Sequence, residues 1–158
     1  MIDVEIEDPA WATALPDAAR IAARAAEAAL GPDGAKTPGD VAVLLTGDDA
    51  IAELNANFRD KPGPTNVLSF PAAPSARPHL GDVALAYGVC AREAAEQGKS
   101  LENHLMHLVA HGVLHLVGYD HETDAEAETM EALERQLMQG LGAPDPYEPA
   151  LPVGSHDR

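Results

Sequence analysis

Residues 104–122 read HLMHLVAHGVLHLVGYDHE and contain five of the chain's seven histidines. Apolar residues fill most of the positions between them, which is typical of a helix packed into a core. Ser100 is a good N-cap for this helix, and Gly118 permits the left-handed turn that ends it. The stretch therefore predicts a histidine-bearing core helix followed directly by a turn.

Three of these histidines have the spacing of a metal site. His111 and His115 are four residues apart on the helix, so their imidazoles project from adjacent turns towards one point. A chain that reverses at Gly118 brings His121 back to the same point as a third ligand. Three neutral imidazoles with an open fourth position are typical of catalytic Zn²⁺, so we expect one Zn²⁺ per chain. Nickel, cobalt and copper also accept such ligands.

The neighbouring polar residues have less definite roles. His107 and His111 are also four residues apart, but no turn follows them to return a third ligand. We therefore expect His104 and His107 to lie at the surface or beside the ligands, without binding the metal. Asp120 and Glu122 flank His121, either as solvated charges of the turn or as carboxylates that support the site or act as a base.

The histidine spacing also resembles that of metzincin proteases, which carry a glutamate directly after the first histidine. That glutamate is the general base for peptide hydrolysis. This chain has Gly112 there. Without the proton acceptor, a conventional metalloprotease is disfavoured.

The whole sequence predicts an α+β fold with a small mixed four-stranded sheet and about five or six helices. Alternation and short apolar runs predict four strands, and helical spacing with capping residues predicts the helices. The capping residues include Asp48 before the second helix and a Thr123–Glu126 capping box before the last. The strands cover 2–8, 40–46, 67–70 and 80–87, and the helices cover 13–31, 49–58, 88–98, 101–118 and 123–140.

Length and composition favour one globular cytoplasmic domain. The chain has 158 residues and no apolar run long enough to span a bilayer. Its single cysteine, Cys90, excludes an intrachain disulfide framework. We expect residues 1–142 to form the domain and the Pro-rich segment 143–158 to be disordered. The formal net charge of −16 argues against binding nucleic acid through a broad basic surface, although residues 59–99 are close to neutral.

A second group of residues could bind an anion. The stretch LNANFRDKPGPTNVLSFP, residues 54–71, places Arg59 and Lys61 in a Pro/Gly-rich loop, with Asn66 and Ser69 shortly after. The planar fork of an arginine suits phosphate oxygens and can stabilise charge that develops on phosphorus. The alternative is a solvated, solubilising basic loop.

These motifs together resemble the YbeY family of single-strand endoribonucleases. The resemblance runs in order from LNANFRDKPGPTNVLSFP through LGDVAL, residues 80–85, to HGVLHLVGYDH, residues 111–121. It implies a zincin-like fold, a metal held by His111, His115 and His121, and a functional arginine at Arg59. We accordingly expect Arg59 and His111 to be catalytic.

The resemblance also implies a role in ribosomal RNA processing. It implies cleavage of single-stranded RNA, including maturation of the 3′ end of 16S ribosomal RNA, and ribosome quality control. The implied partners are the small ribosomal subunit, one of its proteins and an Era-type GTPase. Whether water or the 2′-OH of the RNA attacks stays open. The alternatives are a non-catalytic ribosome assembly factor with a structural metal, and a zinc hydrolase of other substrates.

Overall fold

A computed structural model describes residues 1–32, 34–59, 63 and 65–147, without the side chains of Phe58 and Arg59. This part of the chain contains four strands and six α-helices, which confirms the predicted α+β class. The strands are β1 (Ile2–Ile6), β2 (Asp40–Thr46), β3 (Val67–Pro71) and β4 (His79–Ala86). The helices are α1 (Ala10–Ala14), α2 (Ala18–Leu30), α3 (Asp48–Arg59), α4 (Tyr87–Gln97), α5 (Leu101–Leu116) and α6 (Asp124–Gly140), with a 3-10 helix at Pro74–Ala76. No helix among the described residues is long and apolar enough to cross a membrane.

The strands form one mixed sheet in the order β1-β2-β4-β3. β1, β2 and β4 are parallel, and Val43 in β2 lies opposite Val83 in β4. β3 runs antiparallel to β4, with Ser69 opposite Val83. β3 is therefore an edge strand that pairs with β4 alone among the described strands. Residues of β3 and the histidines line the same groove.

Helices cover both faces of the sheet. On one face, α2 and α5 pack over the inward side chains of β2 and β4, including Val43 and Val83. α2 contributes mainly alanines to this core, so its backbone can approach α5 closely. On the other face, Ile51 of α3 packs with Leu68 and Ala84. α5 consequently lies in the centre of the molecule.

The first predicted helix, 13–31, is two helices in the structure. Pro16 lies in the break between α1 and α2, since a proline cannot donate a backbone hydrogen bond and clashes with the preceding turn. α1 also begins earlier than predicted, at Ala10, because Trp11 is fully buried and its Nε1 donates to the Thr46 carbonyl at 2.9 Å. Tertiary packing therefore sets the start of this helix.

The segment after α6 is described as far as Tyr147. Within it, the Pro146 carbonyl accepts a hydrogen bond from Lys99 Nζ at 2.5 Å, and Asp145 pairs with Arg135 at 3.2 Å. Residues 143–147 therefore contact α6 and the loop between α4 and α5. Residues 148–158 lie outside the described part of the chain, and their disorder stays a prediction.

Candidate metal centre

Helix α5 carries four of the histidines and is held firmly at both ends. The Ser100 hydroxyl accepts from the Asn103 amide at 3.0 Å, which confirms the predicted N-cap. The helix ends at Leu116, and the Tyr119 amide then donates to the Leu114 carbonyl at 3.1 Å. Gly118 has a φ of 105°, a conformation that side-chain-bearing residues rarely adopt. The predicted reversal of the chain is therefore present.

Close packing of α5 on the sheet sets the depth of the histidines. A Cβ built on Gly112 would lie 2.6 Å from Val83 Cγ1 and 3.2 Å from Ser69 Oγ. Ser69 Oγ donates to the Gly112 carbonyl at 2.9 Å. The position where metzincins have their catalytic glutamate thus packs against the sheet here and leaves no room for such a side chain.

The structure brings the three predicted ligands together. His111 Nε2 and His115 Nε2 lie 3.1 Å apart, and the ring centroids are separated by 4.6 Å. The ring of His121 stacks on His111 at 5.7 Å and meets His115 at 5.0 Å. One nitrogen from each of the three rings falls within 4.8 Å of the others. This geometry suits a cation bound between them.

The charge state of His115 also suits metal binding. Burial lowers the pKa of His115, and the neighbouring His111 and His121 lower it further. The Asp120 carboxylate and a hydrogen bond with the Tyr119 backbone act in the opposite direction. Because only a neutral imidazole has a lone pair for a metal, the lowered pKa favours the ligating form.

A carboxylate that the sequence analysis did not single out completes the cluster. Glu134 of α6 is fully buried, and its Oε2 lies 2.8 Å from His111 Nδ1. Its Oε1 lies 2.5 Å from His107 Nε2 and also accepts from the Tyr147 hydroxyl. Burial alone would raise the pKa of Glu134, but these hydrogen bonds lower it to about 2. Glu134 is therefore an ionised carboxylate.

The same network acts on the tyrosine. Burial raises the pKa of Tyr147, and the hydrogen bond to the charged Glu134 raises it further. The phenol is therefore a persistent donor at neutral pH. It ties the segment after α6 to the histidine cluster.

His104 and His107 are both buried, which excludes the surface position that was one of the two expectations for them. His104 is 4% exposed, and its Nε2 lies 2.9 Å from Glu93 Oε1. Asn66 Nδ2 donates to the same oxygen at 3.0 Å. His107 is 9% exposed and is linked to the predicted ligand His111 by Glu134, which contacts both rings.

A groove separates the histidines from the edge strand. His111, His115 and His121 form one wall, and β3 with Asn66 and Ser69 forms the other. The side chains of Asn66 and Ser69 are engaged in hydrogen bonds within the fold, to Glu93 and to Gly112. Their main role is therefore to form the wall of the groove, and binding of an anion is secondary.

The predicted anion-binding residues are only partly described. Arg59 is the last residue of α3, and only its backbone belongs to the described part of the structure. Lys61 lies outside the described part entirely. The roles assigned to both residues stay predictions.

Two overlapping groups among the described residues could hold a metal ion. One is His111, His115 and His121, and the other is His107, His111 and Glu134. Both contain His111, so the chain has a histidine-rich candidate metal site in either case.

Comparison with known proteins assigns the family. The model of the family described as Endoribonuclease YbeY matches residues 4–142, which is most of the chain. The chain belongs to the YbeY family. Its helix α5 and the following turn carry the motif on which the resemblance was based.

Relatives and a solved structure agree with membership of the YbeY family. A protein of Maricaulis maris named Endoribonuclease YbeY is 51% identical over 92% of this chain and 91% of its own length. Another of that name, from Azorhizobium caulinodans, is 52% identical over 96% of this chain and 98% of its own length. The solution structure of TM1509 from Thermotoga maritima is similar with a TM-score of 0.56 and 25% identity, covering 94% of this chain and 99% of that protein.

Proposed function

We propose that this protein is a zinc-dependent endoribonuclease that cleaves single-stranded RNA. The observation that carries the proposal is the convergence of His111, His115 and His121 beside an open groove, in a chain whose relatives are named endoribonucleases. An RNA strand lying in the groove would pass between the imidazoles and the edge strand β3.

The donor set fits a cation of the zinc type. His111 Nδ1 is already bonded to Glu134, so His111 Nε2 presents a lone pair towards His115 Nε2, 3.1 Å away. Two such nitrogens repel unless a proton or a cation lies between them. A bound zinc ion would lower the pKa of coordinated water towards about 7 or polarise a phosphate oxygen, and His121 would complete three imidazole ligands with an open position.

The remaining steps fall to the protein's own side chains. His111 and His115 are fixed by the core helix and would hold the ion at the wall of the groove, where it meets the RNA. Asp120 lies on the groove wall, where its Oδ1 accepts from the His121 amide at 2.8 Å and stabilises the turn that carries this ligand. Arg59 at the end of α3 would neutralise charge that develops on phosphorus.

We further propose that the substrate is ribosomal RNA in the cytoplasm. The resemblance of the motifs supports 3′-end maturation of 16S ribosomal RNA and ribosome quality control. It also supports docking to the small ribosomal subunit, to one of its proteins and to an Era-type GTPase. The net charge of −16 supports targeting through such partners, because the chain lacks the overall positive charge that holds RNA non-specifically.

The test compares the wild type with His115→Ala, and with His79→Ala as a matched control. His79 is a partly exposed histidine that pairs with Asp82 at the start of β4. We expect about one zinc per chain and cleavage of a labelled single-stranded RNA by the wild type and His79→Ala, and loss of both in His115→Ala.

Two outcomes would contradict the proposal. Zinc without cleavage, even with ribosomal subunits supplied, would favour a non-catalytic assembly factor. Hydrolysis of esters or peptides that Arg59→Ala leaves unchanged would favour a hydrolase of other substrates. Analysis of the product ends then separates internal attack, which leaves a 2′,3′-cyclic phosphate, from attack by water.

A further inference from the structure

Glu134 is a charged residue on the otherwise apolar face of α6. Its side chain is fully buried, whereas Glu131 on the same helix is 38% exposed. Burial of an ionised carboxylate is costly unless hydrogen bonds replace its water. Three donors do so here, and they come from α5 and from the segment after α6. Such a fully satisfied group holds one geometry.

The contact with His111 determines which of its ring nitrogens carries the proton. Both oxygens of the buried carboxylate face donor groups, Oε1 facing His107 Nε2 and the Tyr147 hydroxyl, so the carboxylate accepts and the 2.8 Å contact with Oε2 places the proton on His111 Nδ1. The lone pair of the neutral ring is then on Nε2, the nitrogen that faces His115. This tautomer is the one that a metal bound between the two rings needs.

The other carboxylate oxygen is held by two donors. His107 Nε2 lies 2.5 Å from Glu134 Oε1, and the Tyr147 hydroxyl donates to the same atom. Tyr147 is itself held in place, because its ring meets that of His107 at 5.2 Å and Arg135 lies over its face at 5.3 Å. The carboxylate therefore cannot rotate away from His111 without losing two further bonds.

These distances favour a hydrogen-bonded network over a second metal site. His107, His111 and Glu134 are close enough to hold an ion. However, the nitrogen–oxygen separations of 2.5 and 2.8 Å are those of direct hydrogen bonds with no atom between. The Tyr147 hydroxyl donates to Glu134 Oε1 as well, so hydrogen bonds satisfy both oxygens of the carboxylate.

We propose that Glu134 is a positioning residue of the zinc site, which fixes the tautomer and ring orientation of His111, and that His107 and Tyr147 hold its carboxylate. This inference rests on the proposed function. Histidine ligands commonly donate their second ring nitrogen to a carboxylate, and loss of that partner typically costs about 10–100-fold in metal affinity.

The experiment reads the tautomer in the metal-free, full-length protein. Two-bond hydrogen–nitrogen correlation spectra of ¹⁵N-histidine-labelled protein at neutral pH distinguish a proton on Nδ1 from one on Nε2. We expect the Nδ1–H form of His111 in the wild type and in the control Glu131→Gln. In Glu134→Gln we expect a shift towards Nε2–H, together with a fall in Zn²⁺ affinity of about 10–100-fold by titration calorimetry.

A second pair of variants tests the clamp on the carboxylate. Tyr147→Phe removes only the hydroxyl donor, and Tyr87→Phe is its control, because Tyr87 packs on Trp11 in another part of the fold. We expect Tyr147→Phe to weaken Zn²⁺ binding by less than Glu134→Gln does, and Tyr87→Phe to leave it unchanged. If Glu134→Gln fails to fold, this pair decides.

The inference is overturned if wild-type His111 carries its proton on Nε2, or if Glu134→Gln keeps the wild-type tautomer and Zn²⁺ affinity. Equal affinity in Tyr147→Phe and Tyr87→Phe removes Tyr147 from the clamp. Failure of the proposed function gives a different result. The wild type would then bind no zinc or cleave no RNA, while the tautomer of His111 would still report the contact with Glu134.

Discussion

Gly112 lies where α5 packs directly against the sheet. Val83 and Ser69 lie so close to the Gly112 Cα that they leave no room for a methyl group there. Gly112→Ala should therefore lower the free energy of unfolding by about 1–3 kcal/mol, even though alanine is intrinsically the better helix former. Urea denaturation of the metal-free protein measures this change.

Gly140 provides the control, since it closes α6 and a Cβ there meets nothing within 4 Å. Gly140→Ala should leave stability unchanged or raise it by up to about 1 kcal/mol. Equal stabilities of the two variants would show that α5 can move away from the sheet without cost.

Residue spacing was sufficient to predict that His111, His115 and His121 come together, because helical geometry and one glycine turn determine their convergence. Glu134 was missed, although its position carries a signal. It shares the buried face of α6 with Met130, Leu137 and Met138, an apolar stripe in which a carboxylate needs a partner. The spacing of residues on α6 could not reveal which other element supplies the hydrogen-bond partner of Glu134.

Capping illustrates the same limit at the level of elements. Ser100 and the Thr123–Glu126 box cap the helices that they precede in sequence, as predicted. Asp48 does not cap the helix after it as predicted, because it is already the first residue of α3. Its Oδ1 accepts from the Val89 amide at 3.1 Å, so it caps the first turn of α4, which follows the neighbouring central strand β4. Local patterns identify local caps, but a cap from a distant element depends on the tertiary fold.

The cap supplied by Asp48 can be tested with Asp49 as control, because the latter is an exposed acid in the same first turn of α3. Asp48→Ala should lower the free energy of unfolding by about 1 kcal/mol, since it leaves the first turn of α4 uncapped. Asp49→Ala should lower it by less than about 0.5 kcal/mol. Thermal unfolding of both variants checks this difference, and equal losses would mean that only the charge near α3 matters.

At the scale of the whole molecule, charge limits how RNA can be held. The formal net charge is −16, and the described groove presents Asp120 and Glu122 beside the histidines. We expect the isolated protein to bind arbitrary single-stranded RNA weakly at physiological salt, with a shallow dependence on salt concentration, because few phosphates are neutralised. Fluorescence anisotropy with labelled RNA at several salt concentrations gives both quantities.

Tight binding to any single strand with a steep salt slope would contradict this expectation. The metal-free wild type serves as the reference that separates the contribution of a bound cation. Addition of purified small ribosomal subunits to the same assay would reveal whether this proposed partner supplies the positive charge that the chain lacks.

The fold class and the number of strands could be predicted from alternation, apolar runs and turn residues. Strand order could not, because β2 and β4 are joined only by long-range parallel pairing that leaves no local pattern. The split between α1 and α2 depended on Pro16, whose effect is visible in the sequence, but the early start at Ala10 depended on the burial of Trp11 and its hydrogen bond to the Thr46 carbonyl.

All three proposed ligands lie between His111 and His121, on the last turns of α5 and the reversal after it. An unfolded chain keeps such near neighbours close, since closing so short a loop costs little entropy. The denatured ensemble would therefore retain part of the affinity of the proposed zinc site, and a metal that binds both states stabilises the native one by less than its native affinity alone would give. Cooperative folding of this molecule accordingly depends on the sheet and the alanine-rich packing of α2 on α5. A metal at the proposed site would then leave and return without the chain having to fold anew.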